Sequence, residues 1–242
     1  MVHTFITMGT VVSLDAPECS HETMHVVERE FHLRDDQFSL YKPESELSQI
    51  ANGDIALANC SEELRECYAR AVDWRRATDG AFTPNRPDGV VDLSGIVKAE
   101  AMQAAAAVLN SAGMDHWCMN AGGDVLVRGT TIDEGRWSVG IVDPLDRAAL
   151  LATRSLSDER PALATSGSAE RGEHIWYSAP SSRDFVQVSV AAPDIVTADV
   201  LATAIIAGGH ASLTDATARW PIDVLAVTPD GQIFGTPGFL DR

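Results

Sequence analysis

Short strand patterns outnumber β-α-β units in this chain, and that imbalance constrains the fold more than any other feature. Residues 2–15 alternate and are rich in β-branched side chains, which predicts a strand or bent strand pair with Gly9 at the bend. Further strand patterns cover about 116–120, 124–128, 137–142, parts of 161–191, 222–227 and 232–234. The sequence therefore predicts an α+β fold with antiparallel or mixed sheets and packed helices, rather than a doubly wound parallel sheet.

Helical patterns lie between these strands. Ser20 and Ser61 are typical N-caps, and the segment after Ser61 carries apolar residues at helical spacing. Thr197 is a candidate cap for another helix. The predicted helices cover about 20–35, 61–79, 99–109 and 194–208, with a second helical run at about 211–219.

Composition limits the classes of partner. A chain of 242 residues with 45% hydrophobic residues fits one domain over 1–242, or two intimately packed lobes. A net charge of −17 argues against nucleic acid or an anionic membrane as a partner. We expect a cytoplasmic protein, because the N-terminus has no signal pattern and no apolar run approaches a bilayer span of roughly 18 residues. The four cysteines form no CxxC pair and are expected to be free thiols.

The segment Asp92-Leu-Ser-Gly-Ile-Val-Lys98 predicts a short strand, a Ser-Gly turn and an Ala-rich helix with Lys98 in its first turn. The chain has only two lysines, Lys42 and Lys98. Helix-opening amides, a glycine and an ammonium group are suited to holding a phosphate. A plain strand-turn-helix with an exposed lysine explains the same pattern.

Two further motifs carry groups that could bind a ligand. Asn120-Ala-Gly-Gly-Asp124 joins two apolar strands, and its glycines allow bare backbone against a ligand; a tight hairpin uses the same residues. Asp199 and Thr203 lie four residues apart, on one face of a predicted helix. A carboxylate and a hydroxyl there suit Mg²⁺, although a capping Asp beside a Thr bonded to its own helix is equally consistent.

Histidines offer two more hypotheses. The run from His21 through Glu22 to His25 matches the H-E-x-x-H pattern of zinc peptidases, but both histidines lie on the flank of the predicted helix. A zinc metallopeptidase is therefore the weaker alternative. His174 has polar neighbours and is a candidate general base, or a partly buried hydrogen-bonding histidine.

In their order along the chain, these motifs resemble the ApbE family of FAD:protein FMN transferases. Each motif is weak by itself, and the order of seven is the stronger signal. The motifs are Met8-Gly-Thr10, Phe38-Ser-Leu-Tyr41-Lys-Pro-Glu-Ser-Glu-Leu-Ser-Gln, Asp79-Gly-Ala-Phe82, Asp92 to Lys98, Asn120 to Asp124, Thr165 to Arg171 with His174-Ile175, and Thr197 to Thr203.

The resemblance implies an ApbE-like, T-fold-like architecture and a specific reaction. Family members bind FAD and Mg²⁺, cleave the FAD pyrophosphate, attach FMN to a threonine of a target flavoprotein and release AMP. Carried over by position, the metal ligands are Asp199, Thr203 and the carbonyl of Gly95, and the catalytic base is His174. The positions implied for flavin, adenine or phosphate contact are Met8, Tyr41, Phe82, Asp92, Lys98, Asn120, Gly122, Gly123 and Ile175.

The sequence departs from the family pattern beside the candidate base. After His174-Ile175 come Trp176-Tyr177-Ser178, where the family has an Asp-Pro run. An orienting carboxylate is therefore missing from that stretch. This departure leaves an alternative function open, namely an FAD-binding or FAD-hydrolysing relative that does not flavinylate proteins.

Overall fold

The computed structural model describes residues 2–167 and 184–240. Strands and helices alternate irregularly along these residues. The strands are β1 (Val2–Thr7), β2 (Thr10–Asp15), β3 (Trp117–Ala121), β4 (Asp124–Arg128), β5 (Ser138–Val142), β6 (Leu150–Ser155), β7 (Ala162–Gly167), β8 (Gln187–Ala192), β9 (Asp223–Val227) and β10 (Ile233–Gly235). The helices are α1 (His21–Phe38), α2 (Glu46–Asn52), α3 (Glu62–Ala77), α4 (Ser94–Ser111), α5 (Ile195–Arg219) and α6 (Pro237–Leu240), with a 3₁₀ turn at Leu57–Asn59.

Eight of the strands form one sheet in the order β1-β2-β3-β4-β7-β8-β9-β10. Every neighbouring pair in it is antiparallel. Strands β5 and β6 form a separate antiparallel ribbon. The α+β prediction is therefore confirmed. Short turns join β1 to β2, β3 to β4 and β9 to β10, whereas helices lie in the connections from β2 to β3 and from β8 to β9.

The main core lies between this sheet and helices α1, α4 and α5. Helices α4 and α5 contribute many buried alanines, including Ala101, Ala105 and Ala202, whose small side chains let the two helices pack closely. The β5–β6 ribbon covers the sheet elsewhere, where Ile141 and Leu156 belong to a cluster of their own with residues of β4, β7, β8 and β9.

A third cluster lies beside the N-terminal ends of α4 and α5. It joins Leu64 and Cys67 of α3 to Ile96 of α4 and Val200 of α5, with Phe82 from the preceding loop. This cluster fixes the position of the two helix starts that carry most of the candidate site residues.

Several local signals gave correct element starts. The Ser20 hydroxyl accepts the Thr23 N–H at 3.1 Å, and the Ser61 hydroxyl accepts the Leu64 N–H at 3.3 Å, as expected for N-caps. The β3–β4 and β9–β10 hairpins lie where the turn residues predict them. Helix α1 extends to Phe38, three residues past the predicted end.

Three predicted helix features were wrong. Helix α4 begins at Ser94 rather than Ala99, because the Asp92 carboxylate accepts the Ser94 N–H at 2.9 Å and starts the helix early. Lys98 is consequently in the second turn. At α5 the cap is Asp194, whose carboxylate accepts the Thr197 N–H at 2.8 Å.

The two helical runs predicted at the C-terminal end are parts of α5, separated by a kink at Gly209. Its φ of 63° and ψ of −149° are a backbone conformation that favours glycine. The Asp184 carboxylate also accepts the His210 N–H at 3.0 Å there, so the kink is supported by a contact from another part of the chain.

Helix α5 is long and apolar enough to meet a length-and-composition test for crossing a membrane. The sequence alone predicted no such run. However, 61% of its most apolar window is buried inside the protein, as happens for a core helix. Its hydropathy is accounted for by packing against the sheet and α4.

Candidate functional site

A cleft of about 660 Å³ opens where the starts of α4 and α5 meet the end of α1, the β1–β2 turn and the end of β7. Its wall contains most of the residues that the motifs single out. The lining residues are Met8, Gly9, Arg34, Asp35, Phe38, Ser39, Leu40, Tyr41, Lys42, Arg86, Asp92, Ser94, Gly95, Val97, Lys98, Gly122, Thr165, Ser166, Gly167, Asp199 and Thr203.

The inner wall is built around a buried lysine. Lys98 is 8% exposed, so the interpretation of an exposed lysine is wrong. Its ammonium donates a hydrogen bond to the carboxylate of Asp124, which is 0% exposed. The second Asp124 oxygen accepts the Thr165 N–H at 3.0 Å. A buried lysine needs such a partner because an isolated charge in this environment is strongly unfavourable.

Oxygen-bearing side chains lie beside this ion pair. Asp199 is 5% exposed, and its carboxylate oxygen lies 3.7 Å from the Lys98 Nζ. One turn along α5, the Thr203 hydroxyl lies 3.2 Å from the Ser166 hydroxyl of β7. The helical spacing of Asp199 and Thr203 thus places a carboxylate and a hydroxyl on one side of the cleft, and Ser166 of β7 adds a second hydroxyl there.

The first turn of α4 forms another part of the wall. Gly95 lines the cleft, and Phe82 packs directly behind it; a Cβ on Gly95 would lie 3.0 Å from the Phe82 ring. Phe82 is 3% exposed and belongs to the third core cluster, not to the cleft lining. Phe82 therefore supports the start of α4 from behind. The resemblance had implied that it contacts the ligand.

The β3–β4 hairpin contributes backbone more than side chains. Gly122 lines the cleft, and both Gly122 and Gly123 have positive φ. The Asn120 side chain accepts the Gly123 N–H at 3.0 Å, so it closes the hairpin. Neither Asn120 nor Gly123 lies in the lining. The tight-hairpin interpretation therefore accounts for Asn120, while Asp124 serves the buried ion pair.

The outer rim carries charged groups in a more exposed setting. Lys42 lies 2.7 Å from the carboxylates of both Asp35 and Asp36. The hydrogen bonds that the Lys42 ammonium donates to these two carboxylates, with Asp35 the larger cause, raise the pKa of Lys42 above its ordinary value. Tyr41 is 80% exposed at the mouth, and the Ser39 hydroxyl accepts its N–H at 3.1 Å.

The cleft thus brings together Met8, Tyr41, Asp92, Gly95, Lys98, Gly122, Asp199 and Thr203 from the predicted set. His174 and Ile175 lie outside the described residues. Sequence reasoning did not single out Ser166, and it placed Asp124 only at the rim of a loop. The Gly-Gly-Asp spacing and the scarcity of lysine were the signals that could have paired Asp124 with Lys98.

The zinc-peptidase residues do not form a metal centre. His21 and His25 are exposed on α1, as predicted, and Glu22 is exposed beside them. The His25 ring lies 3.8 Å from Glu28, and His3 and His32 lie near the same carboxylate. Within residues 2–167 and 184–240, no group of three or more His, Cys, Asp or Glu side chains has an arrangement that could hold a metal ion.

The four cysteines are free, as predicted, and none lines the cleft. Burial raises the pKa of the Cys118 thiol to about 11, helped by the nearby Asp15 carboxylate. Burial likewise raises the pKa of Cys67, with Glu100 adding to the effect. These thiols are therefore protonated at neutral pH, and they suit packing rather than nucleophilic chemistry.

Comparisons with known proteins identify the family of this chain. The profile of the ApbE family matches residues 8–86 and 83–225. A curated relative, the FAD:protein FMN transferase of Rhodobacter capsulatus, is 34% identical over 166 residues, which are 63% of this chain and 31% of that protein. The chain thus matches about a third of the length of this relative.

Solved structures share the fold over nearly the whole chain. The flavin transferase ApbE of Vibrio cholerae superposes with a TM-score of 0.76 at 23% identity, covering 99% of this chain and 98% of that one. The ApbE protein of Thermotoga maritima gives 0.81 at 20% identity with the same coverage. The flavinyl transferase ApbE of Pseudomonas stutzeri gives 0.78 at 20% identity, covering 99% and 95%.

Proposed function

This chain belongs to the ApbE family, and from that premise we propose that it is a Mg²⁺-dependent FAD:protein FMN transferase. It would cleave the FAD pyrophosphate, attach FMN to a threonine of a target flavoprotein and release AMP. The observation that carries the proposal is the cleft, where Gly95, Lys98, Asp199 and Thr203 of two helix starts face one space. The curated relative with the same named activity supports it.

The donor set fits Mg²⁺. Asp199 offers a carboxylate, Thr203 a hydroxyl and Gly95 a backbone carbonyl, and all three residues line the cleft. Mg²⁺ prefers oxygen ligands, and it is usually held by one or two carboxylates together with waters and substrate phosphates. When bound, the ion would neutralise charge on the phosphoryl oxygens.

The residues of the chain have separable roles in this proposal. The first turn of α4 lines the cleft through Ser94 and Gly95, and a helix N-terminus suits a phosphate. Lys98 adds an ammonium group to the inner wall, and Met8 and Tyr41 line the same cleft. Gly95 of α4 and Asp199 and Thr203 of α5 also line it, so a backbone carbonyl, a carboxylate and a hydroxyl are available to one ligand.

The proposed reaction is a phosphoryl substitution. The threonine hydroxyl oxygen of the acceptor forms a bond to the phosphorus of the FMN half, and the bond from that phosphorus to the bridging oxygen breaks. AMP leaves with the bridging oxygen, and the hydroxyl proton passes to a base. His174 is the proposed base, and it lies outside the described residues.

The test is incubation of the protein with FAD and Mg²⁺, with and without a threonine-bearing acceptor domain. AMP release and acceptor mass are followed together. An acceptor that gains the mass of FMN while AMP appears would establish the transferase.

The sequence departure at Trp176-Tyr177-Ser178 leaves an alternative function open, namely an FAD-binding or FAD-hydrolysing relative. AMP and free FMN without labelled acceptor would indicate an FAD hydrolase. FAD binding without AMP would indicate a flavin-binding protein. A chain that neither binds FAD nor releases AMP would contradict the proposal altogether.

A further inference from the structure

We propose that Asp124 is a positioning residue that keeps the Lys98 hydrogen bond from forming with Asp199, so that the Asp199 carboxylate can bind a divalent cation. This inference rests on the proposed metal site. Without Asp124, the Lys98 ammonium would act as an internal competitor for the cation. The metal affinity of the cleft would then depend on a carboxylate that does not touch the metal.

Asp124 lies behind the cleft wall. It is fully buried and absent from the lining, whereas Lys98 and Asp199 both line the cleft. One of its oxygens accepts a hydrogen bond from Lys98, and the other accepts the Thr165 N–H at 3.0 Å. The β4 position immediately after the Gly122-Gly123 turn fixes its backbone, so both ends of the contact are anchored.

The Lys98 ammonium is shared unequally between two carboxylates. Its hydrogen bond goes to Asp124, while the nearest Asp199 oxygen lies 3.7 Å away, beyond hydrogen-bond length. A charge-assisted N–H···O bond is typically about 2.7–2.9 Å long. A movement of roughly 1 Å by a flexible lysine side chain would close the gap to Asp199.

The consequence follows from charge. An ammonium hydrogen-bonded to Asp199 would neutralise the one carboxylate in the proposed ligand set. A divalent cation would then have to displace it, and two cations close together repel strongly in a buried site. Asp124 gives Lys98 a hydrogen-bond partner, whereas Asp199 lies too far from the ammonium for a hydrogen bond.

Asp124 is also linked, through β7, to the hydroxyl groups of the proposed site. Thr165, whose N–H binds Asp124, is followed by Ser166, and the Ser166 hydroxyl lies 3.2 Å from that of Thr203. The Thr165 hydroxyl is itself 2.8 Å from the Ser189 hydroxyl on the neighbouring strand. Asp124 thus fixes Lys98 against a part of β7 that also contacts the proposed metal ligand Thr203.

The experiment measures Mn²⁺ binding directly, by the electron paramagnetic resonance signal of the free ion, in the absence of FAD. Asp124→Asn keeps an oxygen for the Thr165 N–H but loses its charge. It should weaken Mn²⁺ binding about tenfold or more, the scale of one charge-assisted hydrogen bond. Adding Lys98→Met to that variant removes the competitor and should restore binding to at least the wild-type level.

Urea denaturation of the same variants separates positioning from a general structural effect. Damage to the fold would lower Mn²⁺ binding only where the fraction of folded Asp124→Asn falls, whereas the positioning role predicts weaker binding in the fully folded variant. If the single variant does not fold, the double variant still tests the idea, because both buried charges are gone; Mn²⁺ binding weaker than in the wild type would overturn it. Unchanged binding in a folded Asp124→Asn variant would overturn it as well.

Asp223→Asn is the matched control. Asp223 is also buried, and it pairs with Arg154 at 2.7 Å away from the cleft lining. It should leave Mn²⁺ binding unchanged. If wild-type protein and Asp199→Ala bind Mn²⁺ equally, the proposed metal site itself fails. If only Asp199→Ala loses binding while Asp124→Asn does not, the metal site stands and the positioning role fails.

Discussion

The only two lysines of the chain line the same cleft in opposite environments. Lys98 on the inner wall is buried and bonded to a fully buried Asp124. Lys42 on the rim is half-buried and lies 2.7 Å from each of two aspartates in a more solvent-accessible setting. The comparison shows that the cost of removing one partner of an ion pair depends on its environment. In a buried pair the remaining charge has no water to solvate it, whereas at the rim it does.

The largest expected effect concerns the Asp199 carboxylate, which lies beside Lys98 on the inner wall. Asp199→Ala should lower Mg²⁺-dependent AMP release by more than about 100-fold, since a bound metal contributes several kcal/mol to such reactions. Thermal unfolding should change little in the same variant, because Lys98 keeps its hydrogen bond to Asp124. A variant with wild-type AMP release would remove Asp199 from the site.

The next effect concerns the stability of the inner wall. Lys98→Ala should lower the free energy of unfolding by about 3–5 kcal/mol, because it leaves the Asp124 carboxylate buried without its cation. Urea denaturation measures this loss. The pair Lys98→Met with Asp124→Asn should cost much less than Lys98→Ala, and equal losses would show that the charge pairing is unimportant. FAD affinity is then compared among the variants that fold.

A smaller effect is expected at the start of α4. Gly95→Ala places a Cβ 3.0 Å from the Phe82 ring, and overpacking of this kind typically costs about 1–3 kcal/mol. The loss should appear in urea denaturation. Adding Phe82→Leu should recover part of it by making room. An unchanged free energy of unfolding in Gly95→Ala would mean that Phe82 moves aside without cost.

The smallest effect is expected at the rim. Lys42→Ala should change the free energy of unfolding by at most about 1 kcal/mol, with most of that lost in high salt. The pKa of Lys42 is raised by Asp35 and Asp36, so its contribution is present below the ordinary lysine pKa and is lost as the pH rises through the folded value. Unfolding measured from pH 9 to 12 tests the sign. If Lys42→Ala lowered the free energy of unfolding as much as Lys98→Ala, the expected difference between the rim ion pair and the buried ion pair would be wrong.

Much of the local structure was set by the sequence. Ser20 and Ser61 cap their helices through their own side chains, and the Gly-Gly and Asp-Gly turns produce the predicted hairpins. The four-residue spacing of Asp199 and Thr203 needed only a helix to place both on one face. These are short-range effects, in which the residues that interact lie within a few positions of each other.

The tertiary structure decided the environment of each group. Whether Lys98 was exposed or buried depended on Asp124, 26 residues away in the chain, and on helices that cover both. Phe82 became a support for Gly95 because the third core cluster formed around it. Burial and ion pairing depend on which elements pack together, and a local pattern of residue types does not contain that information.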